Sequence, residues 1–165
     1  MTSGIPTARE DVVAYSHTQI GWWGLAIMGF VALWILAIFG LVPEARTRPE
    51  AGRIVAGLVT VVLVVAMVLF STLTVRVTRD SLVWRFGPGL LSRRIPLAEI
   101  ASATPTRLPL WAGLGIHWIG RGWVYNVSGR DAVEVVRVDG KVTFIGTDDA
   151  EGLAAAIEPR RASVR

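Results

Sequence analysis

The spacing of apolar positions divides the chain into two halves. Residues 20–42 form 23 positions without a charge, and residues 54–75 form a second apolar run. At 1.5 Å per residue the first run spans about 34 Å as a helix, enough for a bilayer core of roughly 30 Å. The end of the second run changes period. Leu73, Val75 and Val77 alternate with Thr72, Thr74, Arg76 and Thr78, the two-residue repeat of a strand rich in β-branched side chains. The helical part therefore ends near Phe70 or Ser71. Its 17 apolar residues, 54–70, cover about 25 Å, so residues 49–53 have to add a turn, with Arg53 snorkelling to the interface. A first strand then starts within a few residues of the bilayer, and its first turn, near Arg79, is expected close to the lipid surface.

The strand pattern continues downstream. Leu82, Trp84 and Phe86 alternate with Val83 and Arg85, and Gly87-Pro88-Gly89 breaks the run. Residues 91–97 contain Pro96, which marks a sheet edge or a strand end. Residues 100–107 read as another strand, and 108–122, rich in Pro, Gly and Trp, as the least regular part. Three more strands are expected at 123–127, 133–138 and 142–145, the last two joined by the hairpin signal Asp139-Gly140. Thr147 or Asp148 caps a final helix, with a capping box from Asp148 to Glu151. Leu153, Ala156 and Ile157 form its apolar face, and Glu158-Pro159 ends it.

These elements give four regions: a polar leader (1–19), loosely bound or disordered; a two-helix transmembrane hairpin (20–71, helices 20–42 and about 50–71); a β domain (72–158); and a basic tail (159–165). The β domain reads as a small sandwich or barrel of about seven strands, with one helix plugging an open edge. A signal peptide is the rival reading of 20–42, but the acidic flank, the length of the run and the lack of a small-x-small cleavage site after it favour an anchor. Trp22 and Trp23 stand where an interfacial aromatic belt lies. Gly21, Gly24, Gly29, Ala32 and Gly40 share one arc, a face for close packing on the second helix or in a dimer.

Composition sharpens this division. The chain is 52% hydrophobic, and most of the excess lies in the two runs. Residues 1–70 carry four Arg against four acids, and residues 71–165 carry 13 basic against nine acidic residues. The net charge of +4 thus belongs to the second half, as for a surface facing phosphates. Six basic residues beside the helix ends (Arg9, Arg76, Arg79, Arg85, Arg93, Arg94) against three in the connecting loop (Arg46, Arg48, Arg53) place both termini in the cytoplasm. Cysteine is absent, which excludes disulfides and thiol chemistry.

Candidate chemistry is sparse. His17 and His117 lie 100 residues apart without ligand spacing, and no nucleophile or phosphate-binding motif occurs, so neither an enzyme nor a cofactor or metal is expected. The acids sit in turns and at the helix start, where capping explains them. The strongest signal is the basic set Arg76, Arg79, Arg85, Arg93 and Arg94 after the membrane exit; its bland counterpart is that these residues fix topology and solvate strand edges. Trp111, Trp118 and Trp123 make an interaction patch if exposed and fill the barrel if buried. No aromatic platform for nucleic acid is visible.

Three stretches resemble the bacterial membrane-anchored proteins that carry a PH-like domain. They are Leu82 to Phe86 with Gly87 leading to Arg94-Ile95-Pro96-Leu97-Ala98-Glu99-Ile100, the turn Gly113-Leu114-Gly115-Ile116, and Asp139-Gly140 through Ile145-Gly146-Thr147-Asp148-Asp149. The resemblance implies a seven-stranded, strongly bent barrel-like sandwich over residues 73–157, capped by the C-terminal helix. Relatives place Arg after the glycine-rich turn, where this chain has His117. The expected protein is a non-enzymatic, multi-pass protein of a bacterial inner membrane. It displays its module at the cytoplasmic face for binding a membrane protein partner or itself, with anionic-lipid contact and no nucleic acid. The candidate contacts are Arg76, Arg79, Arg93, Arg94, Trp111, His117 and Trp118, with Trp22, Trp23 and Arg53 at the membrane interface. The alternatives are a small-ligand or pH sensor built on loop 108–123 with His117, or an uncharacterised enzyme.

Overall fold

The computed structural model describes residues 13–41 and 50–164. The expectations for Arg9, Arg46, Arg48 and the start of the leader lie outside these residues. Helices α1 (Trp22–Leu41) and α2 (Glu50–Leu69) have 20 residues each, about 30 Å. Both are long and apolar enough to cross a membrane, and neither span is buried in protein. Because α2 begins at Glu50, residues 50–53 supply its first turn. The small-residue arc approaches the second helix only at its start: a Cβ at Gly21 would meet the Phe70 carbonyl at 2.9 Å, whereas a side chain built at Gly29 would find nothing within 4 Å. A groove of about 530 Å³ is lined by Ile35, Leu36 and Phe39 of α1 and by Ala56 and Thr60 of α2.

The leader is not loose where it approaches α1. Tyr15–Ile20 forms strand β1, paired antiparallel with β2 (Thr72–Val77) from Ile20↔Thr72 to Tyr15↔Val77. The helical hairpin is therefore inserted between two neighbouring strands of one sheet, which places both hairpin ends on the same side. Hydrophobic alternation misses β1 because its inward positions are Tyr15, His17 and Gln19. These sit opposite Val77, Val75 and Leu73, and Tyr15 Oη, His17 Nε2 and Gln19 Nε2 each make a specific bond. Gln19 is buried and donates Nε2–H to the Ser128 carbonyl at 2.9 Å.

The first sheet continues with β3 (Ser81–Phe86) and β4 (Leu91–Pro96) in the order β1-β2-β3-β4. A 3-10 turn at Leu97–Glu99 leads into the second sheet. Its strands are β5 (Ile100–Arg107), β6 (Gly115–Trp118), β7 (Gly122–Asn126), β8 (Asp131–Arg137) and β9 (Val142–Gly146), ordered β5-β8-β9-β7-β6. The domain is thus a two-sheet sandwich with nine strands among the described residues, and not a closed barrel of seven. β7 and β9 run parallel, the others antiparallel. The main core combines Leu73, Val75, Trp84, Phe86, Tyr125, Val133 and Ile145 with Leu153 and Ile157 of the last helix.

That helix, α3 (Ala150–Val164), starts from a different cap than the sequence suggests. Asp149 Oδ1 accepts the Gly152 N–H at 3.0 Å, while Asp148 turns away to His17 and Thr147 Oγ1 accepts the Asp149 N–H at 3.1 Å. Glu158-Pro159 does not end α3. Proline keeps a helical φ and removes one backbone donor, and the helix runs on to Val164, so 159–164 is helical rather than a loose tail.

Candidate functional site

Strand register gives a scale along the sandwich, measured from the end where the helices join. Gly21 N–H donates to the Ser71 carbonyl at 2.8 Å and Gly87 N–H to that of Thr72 at 2.9 Å, so α1, α2 and the β3–β4 turn meet at one place. Gly87 has φ +49°, and a Cβ there would collide with the Val68 and Leu69 carbonyls. Leu114 approaches Gly24 on the first turn of α1. Around this junction Leu90 (79%), Leu110 (80%) and Trp111 (71%) are exposed, beside the exposed Trp22 and Trp23. Lone exposed leucines are ordinary, but these face the end at which two apolar helices leave the sandwich.

The outer face of the first sheet is basic. The register Arg76↔Val83↔Arg94 and Thr74↔Arg85↔Ser92 puts Arg76, Arg85 and Arg94 on that face. No carboxylate shares it among the described residues, and the three side chains line a shallow groove of about 500 Å³ with Val83 and Ser92. Arg79 is placed differently from the expectation. It follows the far end of β2, and the turn beside α2 is the one at Gly87. A strand rises about 3.3 Å per residue, so six residues of β2 put Arg79 about 20 Å along the strand from the junction. Exposed charges are screened beyond about 8–10 Å.

Arg93 alternates to the inner face, where it pairs in register with Trp84. It opens onto a cleft of about 910 Å³ between β4 on one side and β6, β7 and the β8–β9 turn on the other. The floor is aromatic. Trp84 and Tyr125 meet edge to face at 5.1 Å, and Phe86 lies 6.3 Å from Tyr125. Trp118 and Trp123, in contact at 6.0 Å, stand at the end far from the helices. Arg121, Arg137 and Lys141 join them at that end. Arg121 is held over the Phe144 ring at 5.1 Å and bonded to Glu134 at 3.0 Å, and Arg137 is bonded to Glu99. The one carboxylate of the lining, Asp139, accepts from Lys141 Nζ at 2.9 Å, and that bond lowers its pKa below the ordinary 3.8. Trp84 is 3% exposed, and its Nε1–H has no acceptor among the described residues.

The expected loop 108–123 does not form one pocket. Trp111 lies at the junction end, and Trp118 faces the cleft. His117, on the opposite face of β6, is paired with Val124 of the smaller outer core of Leu108, Ala112, Val124, Ala132 and Phe144. His117 Nε2 is buried there without a partner among the described residues. Of the candidate contacts, the cleft brings together Arg93, Arg94 and Trp118, and leaves Arg76, Arg79, Trp111 and His117 outside. Residues that sequence reasoning passed over, Arg121, Arg137 and Lys141, complete the cationic end. Lys141 carried a signal, being the one lysine in the chain and standing in the Asp139-Gly140 turn.

No group of three or more metal-ligating side chains occurs among the described residues. Compared with models of known protein families, with curated proteins and with solved structures, the chain matches none.

Proposed function

We propose that this protein is a non-enzymatic membrane module that holds a PH-like sandwich in fixed orientation on the cytoplasmic face of a bacterial inner membrane. The observation that carries the reading is the pairing of β1 with β2 around the helical hairpin. Two chain crossings, not one flexible tether, mount the sandwich. Its junction rim of Leu90, Leu110 and Trp111 rests in the interfacial layer with Trp22 and Trp23, where apolar bodies with polar tips are favoured. Arg85, one row from the junction, touches anionic headgroups. Arg76 and Arg94 stand farther out, beyond a screening length, and serve an acidic partner or a second copy of this chain. The C-terminal helix against one open side supports the PH-like likeness, while the parallel β7·β9 pair and the strand before the hairpin depart from it.

The experiment is site-specific photo-crosslinking of the full chain in its native membrane, with the crosslinker at Arg94, Arg76 or Ile35. The reading expects adducts from positions 94 and 76 that are lost when Arg85→Glu is added. Adducts from position 35 alone would overturn it in favour of a partner within the bilayer. An active C-terminal periplasmic phosphatase fusion would overturn the cytoplasmic placement.

A further inference from the structure

We propose that the cleft between β4 and β6 is a binding site for an anionic amphiphile, a molecule with an apolar chain and a single charged head. The proposal does not depend on the identity of any protein partner.

Three independent features converge. The floor is wide and aromatic, formed by Trp84, Tyr125 and Phe86 with Ile116 beside them. A sandwich of this size has every reason to fill such a space with its own side chains, since interiors pack at crystal density. Here α3 covers the opposite side of the sandwich, packed on β5 and β8, and no element covers this side among the described residues. The lining is also strongly cationic, with Arg93, Arg94, Arg121, Arg137 and Lys141 against Asp139. Arg121, Arg137 and Lys141 are each tied to a carboxylate, whereas Arg93 has no ion pair among the described residues. Arg94 has no ion pair there either but belongs to the outer face of β4, so Arg93, on the inner face in register with Trp84, is the unpaired charge on the side of the aromatic floor. Finally, the buried Trp84 Nε1–H lacks an acceptor among the described residues, and a buried donor is costly to leave unsatisfied.

Their order along the cleft defines the ligand. Leu90 and Leu91 lie at the junction end, next to where α2 leaves the sandwich, and the cations cluster at the far end. An acyl chain fits the apolar stretch from Leu91 and Ile116 over Phe86, with its carboxylate or phosphate head at Arg93 accepting from Trp84 Nε1. A purely polar anion would leave the aromatic floor unused, and a neutral chain would leave both Arg93 and the indole unmet. A free fatty acid and an anionic lipid drawn from the adjacent bilayer share this chemistry.

The test uses the full chain, ¹⁵N-labelled on indole nitrogen, in nanodiscs of zwitterionic lipid. The Trp84 indole resonance is assigned by its loss in Trp84→Phe. Titration with dodecanoate should move that resonance saturably, while dodecanol and inorganic phosphate should not. Arg93→Ala should weaken the dodecanoate affinity at least about tenfold, the loss of one charge-assisted contact. Arg76→Ala, on the outer face of the same sheet and outside the cleft, should change it less than about twofold. The remaining indole resonances report that both variants keep the fold. A shift already present in nanodiscs doped with phosphatidylglycerol assigns the bilayer as the source, and a shift only on adding dodecanoate assigns free fatty acid. An unmoved Trp84 resonance under every condition, an equal response to dodecanol, or equal effects of the Arg93 and Arg76 changes would overturn the site.

Discussion

The Tyr15 hydroxyl donates a 2.8 Å hydrogen bond to Asp149 Oδ2 across 134 residues of sequence. One end of it precedes the first long apolar helix, and the other is the N-cap of the last helix. His17, two residues along β1, bonds Asp148 Oδ1 at 2.5 Å. The strand that enters the hairpin is thus latched to the start of α3.

This latch sets a pH dependence with two limbs. Burial first, and the Asp149 bond second, push the Tyr15 pKa well above its ordinary 10.0. A raised folded-state pKa contributes stability that is present below pH 10 and lost as pH rises beyond it. The Tyr15 bond in turn lowers the Asp149 pKa, ahead of its bond from the Gly152 N–H. That contribution is present above about pH 4 and lost on acidification. Tyr15→Phe should lower the melting temperature at neutral pH and flatten both limbs. Thermal unfolding from pH 3 to 11, followed by near-ultraviolet dichroism, checks this. Parallel curves for the two proteins at every pH would refute it.

Gly87→Ala should destabilise the protein by about 1–3 kcal/mol, combining a left-handed φ with collision against the end of α2. Gly89 also has a positive φ (+96°), but the nearest atom to a Cβ there is the flexible Arg85 side chain at 3.6 Å. Gly89→Ala should therefore cost about 1 kcal/mol, the conformational part alone. Denaturant unfolding in mild detergent separates them, and equal losses would show that the junction gives way freely.

A fragment of residues 72–164 leaves the β2 edge bare over six residues, an invitation to pair with another chain. It should self-associate in sedimentation velocity at micromolar concentration. Residues 13–21 joined to residue 71 by a short Gly-Ser link restore the edge, because Gly21 and Ser71 already touch through the 2.8 Å bond. That chain should be monomeric. Monomeric behaviour of the bare fragment would mean that β1 is dispensable.

Seating of the rim in the bilayer is measured by fluorescence quenching with lipids brominated near the headgroup. Trp111→Phe should remove a quenched component, because Trp111 lies at the junction end, whereas Trp118→Phe should leave the quenched fraction unchanged. The opposite pattern would place the cleft end of the sandwich, not the junction end, against lipid.

The two long helices and most strands of both sheets were legible because the apolar pattern reports them directly: the helices are uninterrupted runs, and β2 and β3 alternate. β1 was hidden by its own chemistry, since its inward positions are Tyr15, His17 and Gln19, each using a bond rather than burial of hydrocarbon. β6 was hidden by length and glycine; four residues starting at Gly115 leave only Ile116 and Trp118 to alternate. The strand count and the sandwich layout followed from these two omissions. The cleft was less legible still. Arg93 and Arg94 are neighbours in sequence on opposite faces of β4, and only the register of β4 against β3 tells them apart. Arg121, Arg137 and Lys141 come together because β7 and β9 run parallel, a pairing that local sequence does not announce.

The insertion of the hairpin between β1 and β2 also fixes an order of events during synthesis. β1 leaves the ribosome first, but its partner begins 52 residues later, from Ile20 to Thr72. At about 5–20 residues per second that is an interval of roughly 3–10 s. On the membrane reading proposed above, both helices enter the bilayer during it and return the chain to the side where β1 waits. A hairpin that inserts with one crossing strands the two partners on opposite sides. The sheet then never closes, and a completed sandwich requires that the chain has come back to the side it left.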